Sequence, residues 1–263
     1  MDPNGKLAVV TGAAGGIGGG IVRALLDAGA RRVVACDLST GLMDFDDPRV
    51  DQRALDVASE VATTALVEEL DRAEGPIDLW FANAGIAHGG GVEASIETWE
   101  HQWQINVMSH VYAARALFPA WQARGAGHLI TTASMAGILT SLGDGVYAAA
   151  KHAALGWAEW LAITHQADGI EVSCVCPGAV DTAMLRGGAG GDAAKATAAI
   201  GGGEVLDPDE AGRRIVAAAA EGRFLILTHP EMQEFIERKA ADPDRWIRGM
   251  SRLWGRTQEL LTD

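Results

Sequence analysis

The chain has 263 residues, 48% of them hydrophobic, with 33 glycines and a formal net charge of −14. That length fits one large α/β domain with ample core, and the glycine content suits tight turns around a buried parallel sheet. The acidic balance, with a sequence pI near 4.8, argues against nucleic acid and anionic membranes as partners, which need basic surfaces, and against an acidic carrier protein.

Strands and helices alternate along the chain. Leu7 to Val10 is an apolar run ending in Thr11-Gly12, and Ile17 to Ala28 reads as a helix closed by Gly29. Val33 to Cys36 is a second strand that ends on Asp37, and a third is expected around Arg53 to Leu55. A helix from Ser59, a good N-cap, to Ala73 follows, then a strand over Ile77 to Ala82. One long helix is predicted from Ile96 to Arg124, a strand over His128 to Ala133, a helix from Val146 to His165, and a strand over Ile170 to Val175. Gly187 to Gly203 is then rich in glycine and alanine, so residues 183–206 are expected to form a flexible substrate lid. Asp207-Pro208 restarts a helix in capping-box style, Phe224 to Leu227 is a last strand, and the tail over 229–263 reads as one or two helices. This alternation implies a single domain built on a parallel sheet covered on both faces, with right-handed crossovers.

No hydrophobic run approaches the roughly 18 residues of a membrane span. Met1 to Lys6 leads almost directly into the first strand, with no room for a signal peptide. The three cysteines are Cys36, Cys174 and Cys176; the last two share one strand face, a poor geometry for a disulfide. Neither Cys-x-x-Cys nor His-Glu-x-x-His is present, so a reduced, cytoplasmic protein without a bound metal is expected.

Thr11-Gly12-Ala13-Ala14-Gly15-Gly16-Ile17-Gly18 lies between the first strand and the first helix. Glycines there let the backbone turn tightly and approach a pyrophosphate seated on the helix N-terminus. Asp37, on the tip of the second strand, can accept hydrogen bonds from both adenosine ribose hydroxyls and would repel a 2′-phosphate. Residue 38 is leucine, not a compensating cation. The charge pattern favours NAD(H) over NADP(H).

Tyr147 and Lys151 stand four apart on the predicted helix, so phenol and ammonium share one face one turn apart. The ammonium favours phenolate, which would make Tyr147 a usable proton donor and acceptor near neutrality. Ser134 ends a strand thirteen residues before Tyr147.

With the glycine loop, Ser134, Tyr147 and Lys151 together, the chain resembles the short-chain dehydrogenase/reductase family, in its short single-domain branch, from Lys6 to Leu227. Further motifs match: Asp56-Val57 where the family contacts adenine, Asn83-Ala84-Gly85 at the end of the fourth strand, and Asn106 at the family's helix asparagine. Pro177-Gly178-Ala179-Val180-Asp181-Thr182 matches the segment that grips the nicotinamide carboxamide. The resemblance implies a Rossmann-type doubly wound sheet of about seven strands. It implies hydride transfer between NAD and a carbinol carbon. Tyr147 would carry the proton, Lys151 would lower its pKa and hold the nicotinamide ribose, and Ser134 would donate to the substrate oxygen. Asn106 would orient a relay water or serve as a helix-kink residue. The family's commonest assembly, a homotetramer or homodimer paired through the long helices, is also implied.

Candidate substrate-pocket residues are His88, Met135, Ile138, Leu139, Leu142, Met184 and Leu185, with core packing and, for His88, a plain loop position as the alternatives. Their apolar character fits a bulky neutral secondary alcohol or ketone, alicyclic, aromatic or steroid-like. The stripe carrying Trp246 and Trp254 reads as packing or subunit contact. Competing readings are a 3-oxoacyl-thioester reductase, another reaction on the same fold, and a non-catalytic nucleotide-binding protein.

Overall fold

The computed structural model describes residues 1–187 and 204–262. Seven parallel strands form one sheet: β1 (Leu7–Thr11), β2 (Arg32–Asp37), β3 (Val50–Ala54), β4 (Leu79–Ala82), β5 (Gly127–Thr132), β6 (Ile170–Cys176) and β7 (Leu225–Leu227). Their order is β3-β2-β1-β4-β5-β6-β7. The chain builds outward from β1 to β3, then returns to the other side of β1, so the order reverses between β1 and β4. In open α/β sheets that reversal opens a crevice beyond the strand C-termini, where ligands bind.

Period-two alternation splits the core into two layers. Val9, Trp80, Leu129 and Cys174 face one layer, and Val10, Phe81, Ile130 and Val175 face the other. The first layer is covered by α2 (Glu60–Ala73), α4 (Ser109–Arg124) and α6 (Gly145–His165); the second by α1 (Gly16–Asp27) and α8 (Pro208–Ala220). All three cysteines are buried and free. Ser59 caps α2 by accepting from the Ala62 N–H at 3.2 Å, and Asp207 caps α8 by accepting from Asp209 and Glu210. Both are the local signals that the sequence carries at those positions.

Helices α1 and α8 meet backbone to backbone. A Cβ on Gly20 would lie 2.2 Å from the Pro208 carbonyl oxygen, and one on Gly212 would lie 2.2 Å from the Gly20 carbonyl carbon. Glycine at both positions is what lets α8 support α1 from behind.

Three sequence expectations shift. The third strand runs Val50–Ala54, not Arg53–Leu55. It is an edge strand carrying Asp51, Gln52 and Arg53 at half-buried positions, and the buried Leu55 lies just beyond it. The predicted helix over Ile96–Arg124 is broken into α3 (Ile96–Trp103), a π-helical turn (Gln104–Met108) and α4. The predicted lid has a fixed end: Leu206 is 2% exposed, its N–H donates to the Ala179 carbonyl, and its carbonyl accepts from Asp181, both at 2.9 Å. The segment begins as a short helix, α7 (Ala183–Gly187), and most of the flexibility expected of residues 183–206 falls outside the described residues. The tail forms two helices, α9 (Met232–Ala241) and α10 (Pro243–Thr262). Among the described residues no helix is long and apolar enough to cross a membrane.

Candidate active site

The glycine loop leaves β1 through Gly12, whose φ of +68° is left-handed. A Cβ on Gly18 would lie 2.0 Å from the Gly12 carbonyl oxygen, so only glycine lets the loop fold back onto α1. No side chain caps the N-terminus of α1 and its first turn holds no acid, which leaves its positive end open to an anion. Thr11 ties the loop across the crevice: its hydroxyl oxygen accepts from Asn83 N–H at 3.0 Å and Ala84 N–H at 3.1 Å. The Asn83 amide donates in return to the Thr11 carbonyl at 3.0 Å. That stapling role of Thr11 is absent from the sequence reading.

Asp37 is fixed over the same loop. One carboxylate oxygen accepts from Ala14 N–H at 2.9 Å and the other from Leu38 N–H at 2.8 Å. Leu38 is 70% exposed beside it. Asp56 and Val57 follow β3 on the same side of the crevice, where Asp56 accepts from Ala58 N–H at 2.9 Å.

On the other side stands α6. Asp144 caps it, accepting from Tyr147 N–H and from Gly89 N–H at 2.9 Å each. Burial pushes the Asp144 carboxyl up, and these two donors oppose the push. One turn beyond Tyr147, Lys151 is 2% exposed and its Nζ donates to the Thr132 carbonyl at 2.9 Å. The same nitrogen lies 5.6 Å from the centre of the Tyr147 ring. Ser134 stands just beyond β5, its hydroxyl oxygen accepting from Ala136 N–H at 3.0 Å.

The electrostatics differ from the sequence expectation that Lys151 lowers the Tyr147 pKa. Burial pushes the phenol up to about 12, hydrogen bonding by Ser134 opposes this, and the Asp144 carboxylate adds to it. Burial likewise pushes the Lys151 ammonium down to about 8. Desolvation is the largest cause of both shifts. Tyr147 is only half-buried, so water in the crevice relieves part of its shift.

Asn106 is fully buried in the π-helical turn. Its Oδ1 accepts from Ile86 N–H at 3.1 Å and its Nδ2 donates to the Ile86 carbonyl at 2.9 Å. A Cβ on Gly85 would lie 3.0 Å from Asn106 Oδ1 and 3.2 Å from Lys151 Nζ. Asn106 thus clamps the loop after β4 and flanks Lys151 from behind the crevice wall. Deeper still, His110 and Gln102 are fully buried, and among the described residues neither the imidazole nitrogens nor the amide atoms find a well-formed hydrogen bond.

All these elements open on one cavity of about 770 Å³. Its wall includes every residue expected to hold the dinucleotide: Gly12, Gly15, Gly16, Ile17, Gly18, Asp37, Leu38, Asp56, Val57, Asn83, Ala84, Gly85, Tyr147, Lys151, Pro177, Gly178, Val180 and Thr182. Ser134 also lines it, with Met135, Leu139, Leu142, Met184 and Leu185 of the expected substrate pocket. The remaining two of that set do not. Ile138 packs on the core with its carbonyl taken by the Lys239 ammonium, and His88 stacks on His101 at 5.5 Å. Ile138 faces away because the short helix α5 (Ala136–Leu139) turns only one side to the crevice, and His88, in the loop after β4, is turned aside by its stacking on His101. Sequence reasoning missed the tail's contribution: Met232, Phe235, Trp246, Met250 and Leu253 are on the wall. The available signal was the apolar stripe of α10.

A family model described as short chain dehydrogenase matches residues 6–189. The chain belongs to this family. Among its relatives is 1-deoxy-11-beta-hydroxypentalenate dehydrogenase of Streptomyces exfoliatus, 36% identical over 71% of this chain and 74% of that protein. Two solved short-chain dehydrogenases share the whole architecture. One, from Burkholderia phymatum in complex with NAD, has a TM-score of 0.82 at 26% identity, covering 93% of this chain and 96% of its own. The other, from Burkholderia cenocepacia in complex with NADP, has a TM-score of 0.80 at 26% identity, covering 96% and 99%. This short-chain dehydrogenase is therefore an oxidoreductase of the single-domain type.

Proposed function

We propose that this short-chain dehydrogenase moves a hydride between NAD(H) and a bulky, neutral secondary alcohol or its ketone. The observation that carries the reading is the convergence of Ser134, Tyr147 and Lys151 on the cavity that also holds the glycine loop. A nicotinamide dinucleotide bound there supplies the hydride acceptor or donor. The glycine loop and the uncapped start of α1 fit its pyrophosphate, and Pro177, Gly178, Val180 and Thr182 stand where its nicotinamide end would be held. Tyr147 passes the proton to or from the alcohol oxygen, Ser134 donates to that oxygen, and Lys151 supplies positive charge and a ribose contact from below. Asn106 orders the loop behind them and is the candidate anchor for a water beside Lys151.

The preference for NAD rests on Asp37. Its carboxylate is locked at the adenosine end by two backbone N–H groups, and among the described residues Lys151, at the far end, is the one lysine or arginine on the cavity wall. A 2′-phosphate would meet a fixed anion and, among the described residues of the wall, no neighbouring cation. The substrate class rests on the apolar wall of Met135, Leu139, Leu142, Met184 and Leu185, and the relative named for a hydroxylated pentalenate supports it. Trp103, Trp160 and Ile163, on α3 and α6, are 41%, 51% and 74% exposed, which supports assembly as a homotetramer or homodimer through those helices. Incubation with NAD⁺ or NADP⁺ and a panel of secondary alcohols, followed by absorbance of the reduced cofactor, tests the activity. Turnover of alicyclic alcohols with NAD⁺ is expected. A protein that binds NAD⁺ and oxidises none of the panel would refute the dehydrogenase reading.

A further inference from the structure

The strand order separates the two ends of the cavity. Asp37 sits on β2, toward one edge of the sheet, while β7 forms the opposite edge beside β6. The helices that follow β7 therefore stand at the end of the cavity away from the adenosine. Helix α9 is fastened there, because the Lys239 ammonium donates to the Ile138 carbonyl of α5. The next residue of α5, Leu139, is on the cavity wall. Helix α10 starts on Asp242, which accepts from Arg245 N–H at 2.9 Å, and presents Trp246, Met250 and Leu253 to the cavity. Those positions lie on one helical stripe, and the flanking Arg245, Arg248 and Arg252 are exposed. Phe235 of α9 meets Trp246 edge to face, ring centres 6.3 Å apart. Phe235 and Trp246 pack at one side on the core layer that holds Met135 and Leu139, and at the other they line the cavity that Ser134 and Tyr147 also line.

We infer that α9 and α10 form the specificity wall of the substrate site, and that Trp246 and Met250 select a large, rigid apolar skeleton over a small alcohol. This rests on the dehydrogenase reading and adds to it the residues that set substrate size. Among the described residues the tail brings only apolar side chains to the cavity wall, so what it recognises is shape and apolar surface. A small alcohol engages Ser134 and Tyr147 without reaching the tail. A fused-ring or bridged ketone spans the distance and buries itself against the indole. Loss of such a contact is worth ~10-fold or more in affinity.

The test is calorimetric binding of cyclohexanone, camphor and a decalone to the full-length protein saturated with NADH and, separately, with NADPH. Trp246→Ala should weaken camphor and decalone at least tenfold, change cyclohexanone less than threefold, and leave the cofactor Kd within twofold. Met250→Trp, which fills the cavity rather than emptying it, should exclude decalone and spare cyclohexanone. Trp246→Phe, which keeps an aromatic face and the fold, should recover most of the binding. Thermal melts establish that each variant compared is folded. Equal weakening of all three ketones, unchanged camphor binding in both Trp246→Ala and Met250→Trp, or no binding of either large ketone to the wild type would overturn the inference. Size-selective binding without consumption of reduced cofactor would uphold the wall and refute the dehydrogenase reading alone.

Discussion

Lys151 reaches beneath Tyr147 to the sheet, where its Nζ donates to the Thr132 carbonyl at 2.9 Å. The ammonium is thereby tied to β5 two residues before Ser134, so the end of one strand and one turn of α6 together fix the three side chains. The cost of this arrangement is desolvation of both titrating groups, and the pH behaviour follows from it.

Tyr147→Phe should lower turnover by ~10²–10⁴, the range for loss of a general acid/base, with the NAD Kd within twofold of wild type. Because the phenol is pushed up to about 12, it keeps its proton through neutrality. Ketone reduction should therefore be supported at pH 7, while alcohol oxidation should climb as pH rises and more phenolate forms. Steady-state rates in both directions from pH 6 to pH 10 check this. Oxidation that falls over that range would contradict the assigned proton carrier.

Lys151→Met should abolish activity yet stabilise the protein. The folded ammonium, at about 8, lies below its ordinary 10.5. Between those values the unfolded chain holds the extra proton, so stability rises with pH there. At pH 7 the whole penalty, roughly 3 kcal/mol, is in place, offset by about 1 kcal/mol for the bond to Thr132. Removing the charge should raise Tm at pH 7 by roughly 5 °C, and the gain should shrink as pH climbs from 8 toward 10.5. A variant less stable than wild type at pH 7 would show that the buried charge is better solvated than its surroundings indicate.

Wild-type protein should use NAD⁺ over NADP⁺ by ~10²-fold or more in kcat/KM, since Asp37 opposes a 2′-phosphate in a partly desolvated groove. Asp37→Ser combined with Leu38→Arg removes the anion and adds a phosphate ligand, so the ratio should shrink or invert. Near-equal efficiency of the two cofactors in the unmodified protein would show that Asp37 does not read the ribose.

Acid should destabilise the fold before most carboxylates titrate. Burial pushes His110 and His128 each down to about 3, with the Lys151 ammonium adding to the push on His110 and the N-terminal ammonium to that on His128. Below the ordinary 6.5 the unfolded chain takes up protons that the folded chain refuses, so stability falls with pH, at up to about 2.7 kcal/mol per pH unit for the pair. The nearby Ala82 carbonyl favours protonated His110 but does not reverse the direction. Urea unfolding between pH 6.5 and 5 measures the slope, and His110→Gln should halve it. A flat profile in wild type would mean that neither imidazole stays neutral.

What the sequence made legible was short in range. Ser59 and Asp207 act on backbone N–H groups within three residues, and Tyr147 and Lys151 meet through one helical turn, so spacing alone placed them. The glycine loop is likewise a contiguous string. Other features depend on partners far along the chain. Edge strand β3 carries Asp51, Gln52 and Arg53 because one side of it faces solvent, which erases the apolar run that marks a strand. The π-helical turn at Asn106 inserts no periodicity that a helical pattern could reveal. Trp246 shows that it faces protein, but what it faces lies a hundred residues earlier, around Met135 and Leu139, and stripe periodicity cannot name a distant partner. The raised phenol of Tyr147 is illegible for the same reason: spacing reveals the neighbouring lysine, and only the fold reveals how dry the place is.

The close meeting of Gly20 with Pro208 and Gly212 sets an order of assembly. A ribosome releases the glycine loop proposed to bind the cofactor within the first twenty residues, but the helix that braces α1 emerges almost two hundred residues later, roughly 10–40 s at ordinary elongation rates. Until then α1 lacks the surface against which its glycines lie flush. The nascent chain thus exposes its most ligand-ready segment long before that segment can hold a ligand. Cofactor capture becomes a late event that rewards a finished chain, and truncation anywhere before α8 should yield a product that free dinucleotide cannot rescue.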